Sequence, residues 1–384
     1  VDSRERLPIH MACRRSSEDS QTEKVLMILA KCNPESMLYR DDCGRTPLHW
    51  LFWFHAKSRS PRIVRFFCQQ MPYDMFLDIR QPRGGNNEKY PLPEIPNPNI
   101  QDEIPQSAAI VHDSCHGAIP FLYAVMQGAS KDSLRVLLDD YPGSASVGDR
   151  RGRTALSWYL GAGSLMEGKK TNIFGEIDCA NVIPWWHNKL SIQIIQLLVS
   201  SAAARMVDKD MNRTPLHWAC HFFACSVTPC FDTSAVSQVG PSIGLKIFQI
   251  ILDHNIKALT SQDNNGESPL HVMFSVVAEI QDTEWKSNRN QKYRGLNLTV
   301  GGPAAFNPSK QLIELLLKCP DTDGQDIKQL YDELGQPLVS AASLENKSGL
   351  LPLHTALRVA TSSECIQILI QSNPVGLVHT SEVL

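Results

Sequence analysis

The sequence predicts an all-α fold of turn-helix-loop-helix units, on three observations. One short motif recurs along the chain, a turn signal stands just before it, and a second apolar-periodic segment comes after it each time. The motif is fullest at Asn212-Arg213-Thr214-Pro215-Leu216-His217-Trp218-Ala219-Cys220. Its register returns at Leu7-Pro8-Ile9-His10-Met11-Ala12-Cys13, Thr46-Pro47-Leu48-His49-Trp50, Ser268-Pro269-Leu270-His271 and Leu351-Pro352-Leu353-His354-Thr355-Ala356. Two degraded copies, Ile119-Pro120-Phe121-Leu122-Tyr123-Ala124 and Thr154-Ala155-Leu156-Ser157-Trp158, bring the total to seven units.

Each part of the motif has a structural reason. Thr46, Thr214 and Ser268 stand where a hydroxyl caps a helix, worth about 1 kcal/mol, and Pro47, Pro215, Pro269 and Pro352 fit the first helical position. Upstream, Gly44, Gly152, Gly266 and Gly349 mark turns that other residues resist, and Asn212 replaces the glycine in the central copy. The first unit, opening at Val1, lacks this turn. Small residues after the histidine allow a neighbouring helix to approach, and Trp50, Trp158 and Trp218 are expected to pack between units. The second segments are Glu23–Leu29, Pro61–Phe67, Ser133–Leu138, Gln193–Leu198, Lys246–Leu252, Gln311–Leu317 and Cys365–Ile370. Helix pairs are therefore expected near 8–32, 47–70, 120–141, 155–200, 215–254, 269–319 and 352–372.

Taken together, the glycine turn, the Thr-Pro-Leu-His core and the trailing helix pair resemble the ankyrin repeat, over nearly the whole chain. The resemblance implies one curved solenoid spanning 1–384, with turns projecting as fingers. It also implies a structural task for His10, His49, His217, His271 and His354, tying adjacent turns by hydrogen bonds. Function is then expected to be non-catalytic protein binding by a scaffold, with no cofactor and a partner of unknown identity. The alternative is a regulatory or targeting segment of a larger enzyme or channel whose chemistry lies beyond these residues.

Pro8 to Pro47 and Pro120 to Ala155 are spaced close to the family period of about 33 residues. The other intervals are longer, which calls for insertions near 78–115, 162–189, 225–242, 277–308 and 320–346. The first is rich in proline. The middle three fall between the two helices of consecutive units and line up along one edge. They carry Trp185, Trp186 and Trp285, residue types that anchor interfaces, although surface loops also tolerate insertion without function. On the finger face the candidate partner contacts are Asp42, Arg45, Arg150, Arg151, Arg153, Asp210, Arg213, Asn265, Glu267 and Lys347.

Composition narrows the function classes. A formal net charge of -3 gives no basic field for nucleic acid, and no apolar run is long enough to span a membrane. Eleven cysteines without a dense framework point to free thiols and an intracellular setting, cytoplasmic or nuclear. Both ends break off within a repeat, which leads us to expect a longer natural protein. His217, Cys220, His221, Cys225 and Cys230 are the densest potential metal ligands, but His217 and Cys220 have motif-dictated places, and no metal is expected. Ser268 with His271, and Cys13 with His10, share the spacing of a nucleophile and base but coincide with the cap and a packing position. No catalytic residue is assigned.

Overall fold

The computed structural model describes residues 1–15, 20–69, 108–162, 189–227, 240–279, 308–317, 340–359 and 361–378. Among these the chain is helical and forms no strand beyond a single bridge between Gly148 and Thr154. It divides into two compact units, Val1–Tyr159 and Leu160–Leu384, where the sequence suggests one continuous solenoid.

The first unit holds α1 (Pro8–Cys13), α2 (Ser20–Cys32), α3 (Pro47–His55), α4 (Pro61–Gln69), α5 (Pro120–Met126), α6 (Lys131–Asp140) and α7 (Ala155–Ser157). A π turn, Trp158–Ala162, continues α7. First helices pack on one another in series, α1 on α3, α3 on α5 and α5 on α7, while α2, α4 and α6 form a second row. The second helices are amphipathic. Along α4, Ile63, Val64, Phe67 and Cys68 are buried while Arg62 and Arg65 are exposed, the stripe expected of a helix with one face on a core. By contrast α3, Pro47-Leu48-His49-Trp50-Leu51-Phe52-Trp53-Phe54-His55, is apolar nearly all round. Leu48, Trp50, Leu51 and Phe52 are buried and Phe54 is exposed.

The second unit holds α8 (Lys189–Leu198), α9 (Ser201–Arg205), α10 (Pro215–Val227), α11 (Gly240–His254), α12 (269–279), α13 (Lys310–Leu316), α14 (Pro352–Arg358) and α15 (Ser363–Ser372). Here α8, α11, α13 and α15 pack in series, with α10 on α11 and α14 on α15. In both units a helical turn comes after most second helices, as at Pro34–Met37, Pro142–Ser146, Ile256–Leu259 and Pro374–Leu377. Ala108–Ile110 and Ala341–Ser343 are regular turns of the same kind. Residues 108–115 and 341–346 thus belong to the ordered framework, not to the insertions expected at 78–115 and 320–346. The remainder of those two segments lies outside the described residues, as do nearly all of 162–189 and most of 225–242 and 277–308.

Serine hydroxyls cap the second helices: Ser130 accepts from the Ser133 amide at 3.2 Å, Ser309 from Leu312 at 3.2 Å and Ser362 from Cys365 at 3.4 Å. Among the first helices, Thr154 and Ser268 accept the Ser157 and His271 amides at 3.4 Å, but α3 is capped differently. Thr46 does not take up a helix amide; His49 Nδ1 accepts the Thr46 backbone N–H at 3.1 Å and also the Thr46 hydroxyl at 2.9 Å. Histidine thus fills the place of Glu or Gln in a capping box.

Candidate functional site

One turn recurs ahead of all seven first helices, and its geometry starts from an acidic residue in six of the seven. The turns begin at Asp2, Asp41, Asp113, Asp149, Asp208, Asp263 and Asn346. In each, the first residue's amide bonds a carbonyl near the turn's end, and its carbonyl accepts from the residue at positive φ. Those residues are Glu5, Gly44, Gly117, Gly152, Asn212, Gly266 and Gly349, with φ between 55° and 78°. The first unit therefore does possess its turn, contrary to the sequence reading, with Glu5 holding the left-handed position.

The Asp side chain organises the rest of the turn. Asp41 Oδ1 accepts the Cys43 and Arg45 amides at 3.0 and 2.8 Å, while Oδ2 accepts Arg45 Nε at 2.9 Å and Trp50 Nε1 at 2.9 Å. Asp149 repeats the pattern with Arg151, Arg153 and Trp158. The 113 turn, one residue longer, replaces the indole with the Tyr123 hydroxyl, which donates to Asp113 Oδ2 at 2.9 Å. In each Arg case the indole also lies under the guanidinium, 5.1 Å for Arg45 on Trp50 and 4.2 Å for Arg153 on Trp158. These arginines are struts of the turn. Arg153 is 2% and Arg213 6% exposed, so both are corrected from finger-tip contacts to buried ion-pair members, and Arg45 is half-buried in the same role.

Arg213 links two turns of the second unit. Its Nε donates to Asp263 Oδ2 at 2.9 Å, Nη1 faces His221 Nδ1 at 3.0 Å, and Nη2 lies 3.8 Å from Glu267 Oε2. Ser275 Oγ donates to Glu267 Oε1 at 2.6 Å. Burial pushes the Glu267 carboxyl above its usual range, and burial with the neighbouring Arg213 charge pushes His221 down to about 3. Glu267, another expected contact, is half-buried within this network. Asp42, Asn265 and Lys347 are exposed on the turns, and Arg150, Arg151 and Asp210 are half-buried.

The motif histidines are interior. His49 Nδ1, occupied by an amide hydrogen, must be the acceptor, so Nε2 carries the proton and donates to the Ala118 carbonyl of the next turn at 3.1 Å. His217 and His271 do the same to Glu267 and Leu350, at 3.0 and 2.9 Å, and His10 reaches Tyr39 and Arg45. His354 Nδ1 accepts the Leu351 amide. Burial pushes His49, His217 and His271 down to about 4. With both ring nitrogens engaged, His217 has no lone pair for a metal, and the thiol of the fully buried Cys220 is pushed well up by burial. The side chain of Cys225, and all of Cys230, fall outside the described residues. Ser268 Oγ does touch His271 Nδ1, at 2.9 Å, but both side chains are closed to solvent.

Outward from this framework, the first helices of unit one present aromatic and cationic groups together. Met11 is 39% and Phe54 38% exposed. Arg14 lies 5.3 Å over Phe54, Arg45 4.7 Å over Trp53, and Trp53 stacks 5.5 Å from Tyr123. The all-round apolar α3 makes this patch; its sequence signal was the pair Trp53-Phe54 on the side opposite Leu48 and Leu51, which motif reading passed over. Trp185, Trp186 and Trp285 lie outside the described residues.

No family model matches the chain, and no curated protein matches it. Among solved structures it is similar to a predatory endopeptidase from Bdellovibrio bacteriovorus in complex with an immunity protein. The likeness is 15% in sequence, covers 70% of this chain and 86% of that one, and has a TM-score of 0.33. A likeness of this size carries no conclusion about fold or function. Among the described residues no helix is long and apolar enough to cross a membrane.

Proposed function

We propose that the chain is an ankyrin-type helical solenoid whose function is non-catalytic binding of a protein partner. The scaffold reading is supported by seven copies of one turn, each leading into a helix, with histidines bonding to carbonyls of the next turn. The observation that carries the binding reading is the patch on α1 and α3. Trp, Tyr and Arg are the residue types that dominate interface energies, and here Arg14 lies over exposed Phe54, with half-buried Trp53 6.2 Å from the same ring. Exposed Asp42 and half-buried Arg45 border it, so a partner would meet an apolar centre with a charged rim. The preformed helices impose little ordering cost on association. On the same reading the protein works in the cytoplasm or nucleus.

The test compares partners captured by cross-linking from native lysate with three chains. They are the parent, a Trp53→Ala, Phe54→Ala double variant, and a chain with loops 162–189, 225–242 and 277–308 cut to Gly-Ser turns. Loss of one specific partner in the double variant alone, with circular dichroism unchanged, is expected. Loss only in the loop-cut chain would move recognition to the inserted edge. With the partner in hand, Phe54→Ala should weaken binding roughly 30-fold, the effect of about 2 kcal/mol at a hot spot.

A further inference from the structure

We propose that Cys43 and Cys115 form a disulfide under a small peroxide oxidant, stapling the second and third turns of the first unit. The two turns touch backbone to backbone: the Ser114 amide donates to the Cys43 carbonyl at 2.9 Å. Their approach is so close that a Cβ on Gly44 would sit 2.7 Å from Ser114 N and Oγ. Cys43 precedes that glycine and Cys115 comes directly after that serine. Each is the third residue of its turn, so stacking the turns brings the two side chains to the same register. Other turns carry Arg151, Asp210 or Ser348 near this register. Both cysteines are unbridged, Cys115 exposed and Cys43 half-buried, so an oxidant has access.

The chemistry balances with peroxide alone. The Cys43 thiol loses its proton and its sulfur attacks one peroxide oxygen; the O–O bond breaks, and the departing hydroxide takes up that proton as water, leaving a sulfenic acid. Cys115, deprotonated in turn, attacks the Cys43 sulfur, the S–O bond breaks and a second water leaves. Two thiols are oxidised and one peroxide is reduced. Attack by Cys115 with Cys43 resolving gives the same disulfide and the same two waters.

The experiment treats the whole chain with hydrogen peroxide, quenches it with iodoacetamide and maps a non-reducing digest by mass spectrometry. The expected result is one cross-linked peptide joining Cys43 to Cys115, lighter than its two parents by two hydrogen atoms and released by dithiothreitol. Cys115→Ser, at an exposed position, should fold as the parent does and lack the cross-link, and oxidation should raise the melting midpoint of the parent but not of this variant. Recovery of both residues as alkylated thiols, or either bridged to another cysteine, would overturn the proposal.

Discussion

The guanidinium of Arg153 is buried against a carboxylate, Asp149 at 2.7 Å, with both side chains 2% exposed. Removing one member of a buried pair strands the other, which typically costs about 3–5 kcal/mol. Asp149→Ala should therefore lower stability by about that amount in urea unfolding, whereas exposed Asp42→Ala should stay within about 0.5 kcal/mol. The motif histidines make a second residue-scale prediction. Burial lowers His49, His217 and His271 to about 4, while the unfolded chain binds protons near the ordinary value of about 6.5. The unfolded state then holds more protons throughout that window, so their contribution is complete above about pH 6.5 and is lost as pH falls toward 4. Denaturation midpoints measured from pH 7 to 4 should fall steadily, and His49→Gln, which titrates nothing, should start lower and fall less.

At the scale of the turn, backbone conformation decides. Gly44 at φ +71° has Ser114 against its Cα, so Gly44→Ala is strained twice, by left-handed φ and by contact with a neighbouring backbone. The expected loss is about 1–2 kcal/mol or more. Asn212, at φ 55°, already tolerates that region. Its 3.2 Å bond to the Gln262 carbonyl lies at an exposed site, so Asn212→Gly should change stability by no more than about 0.5 kcal/mol. The turns at Gly44, Gly152, Gly266 and Gly349 were legible in the sequence because Gly with Asn or Asp just ahead of a helix signal marks a turn; the turn at Gly117 was not, because the motif copy after it has lost its histidine. The turn before α1 was not, because Glu5 gives no sign of positive φ. The Asp-Arg-Trp association was hidden for a different reason. Arg45, Arg153 and Arg213 sit beside a turn tip in sequence, and nothing in the order of residues says that an indole nine or ten positions after the Asp will cover the guanidinium and draw it inside. Exposure of Phe54 depended likewise on which side of an all-apolar helix the neighbours take.

Across each unit, links run between neighbours in the series. The Asp42 amide bonds the Arg4 carbonyl, Ser114 bonds Cys43 and Arg150 bonds His116; in the second unit Asn264 bonds Met211 and Lys347 bonds Asn265. Within a unit, each turn after the first is thus tied to the one before it by a main-chain bond, and motif histidines add bonds to the turn ahead. A structure held by such adjacent links transmits a lesion to its neighbours and weakly beyond, as in repeat arrays whose stability is a sum of local and nearest-neighbour terms. His49→Ala removes the bond to Ala118, whose carbonyl then keeps only the Asp113 amide as donor, and leaves the buried Thr46 amide without its acceptor. Amide exchange measured by mass spectrometry should then accelerate in the 113–119 turn and α5, with little change in α11 and α12, because the first two lie on the broken link and the last two belong to the other compact unit. Equal acceleration in α11 and α12 would mean that the two units unfold as one cooperative body, and the nearest-neighbour account would have to be abandoned for this chain.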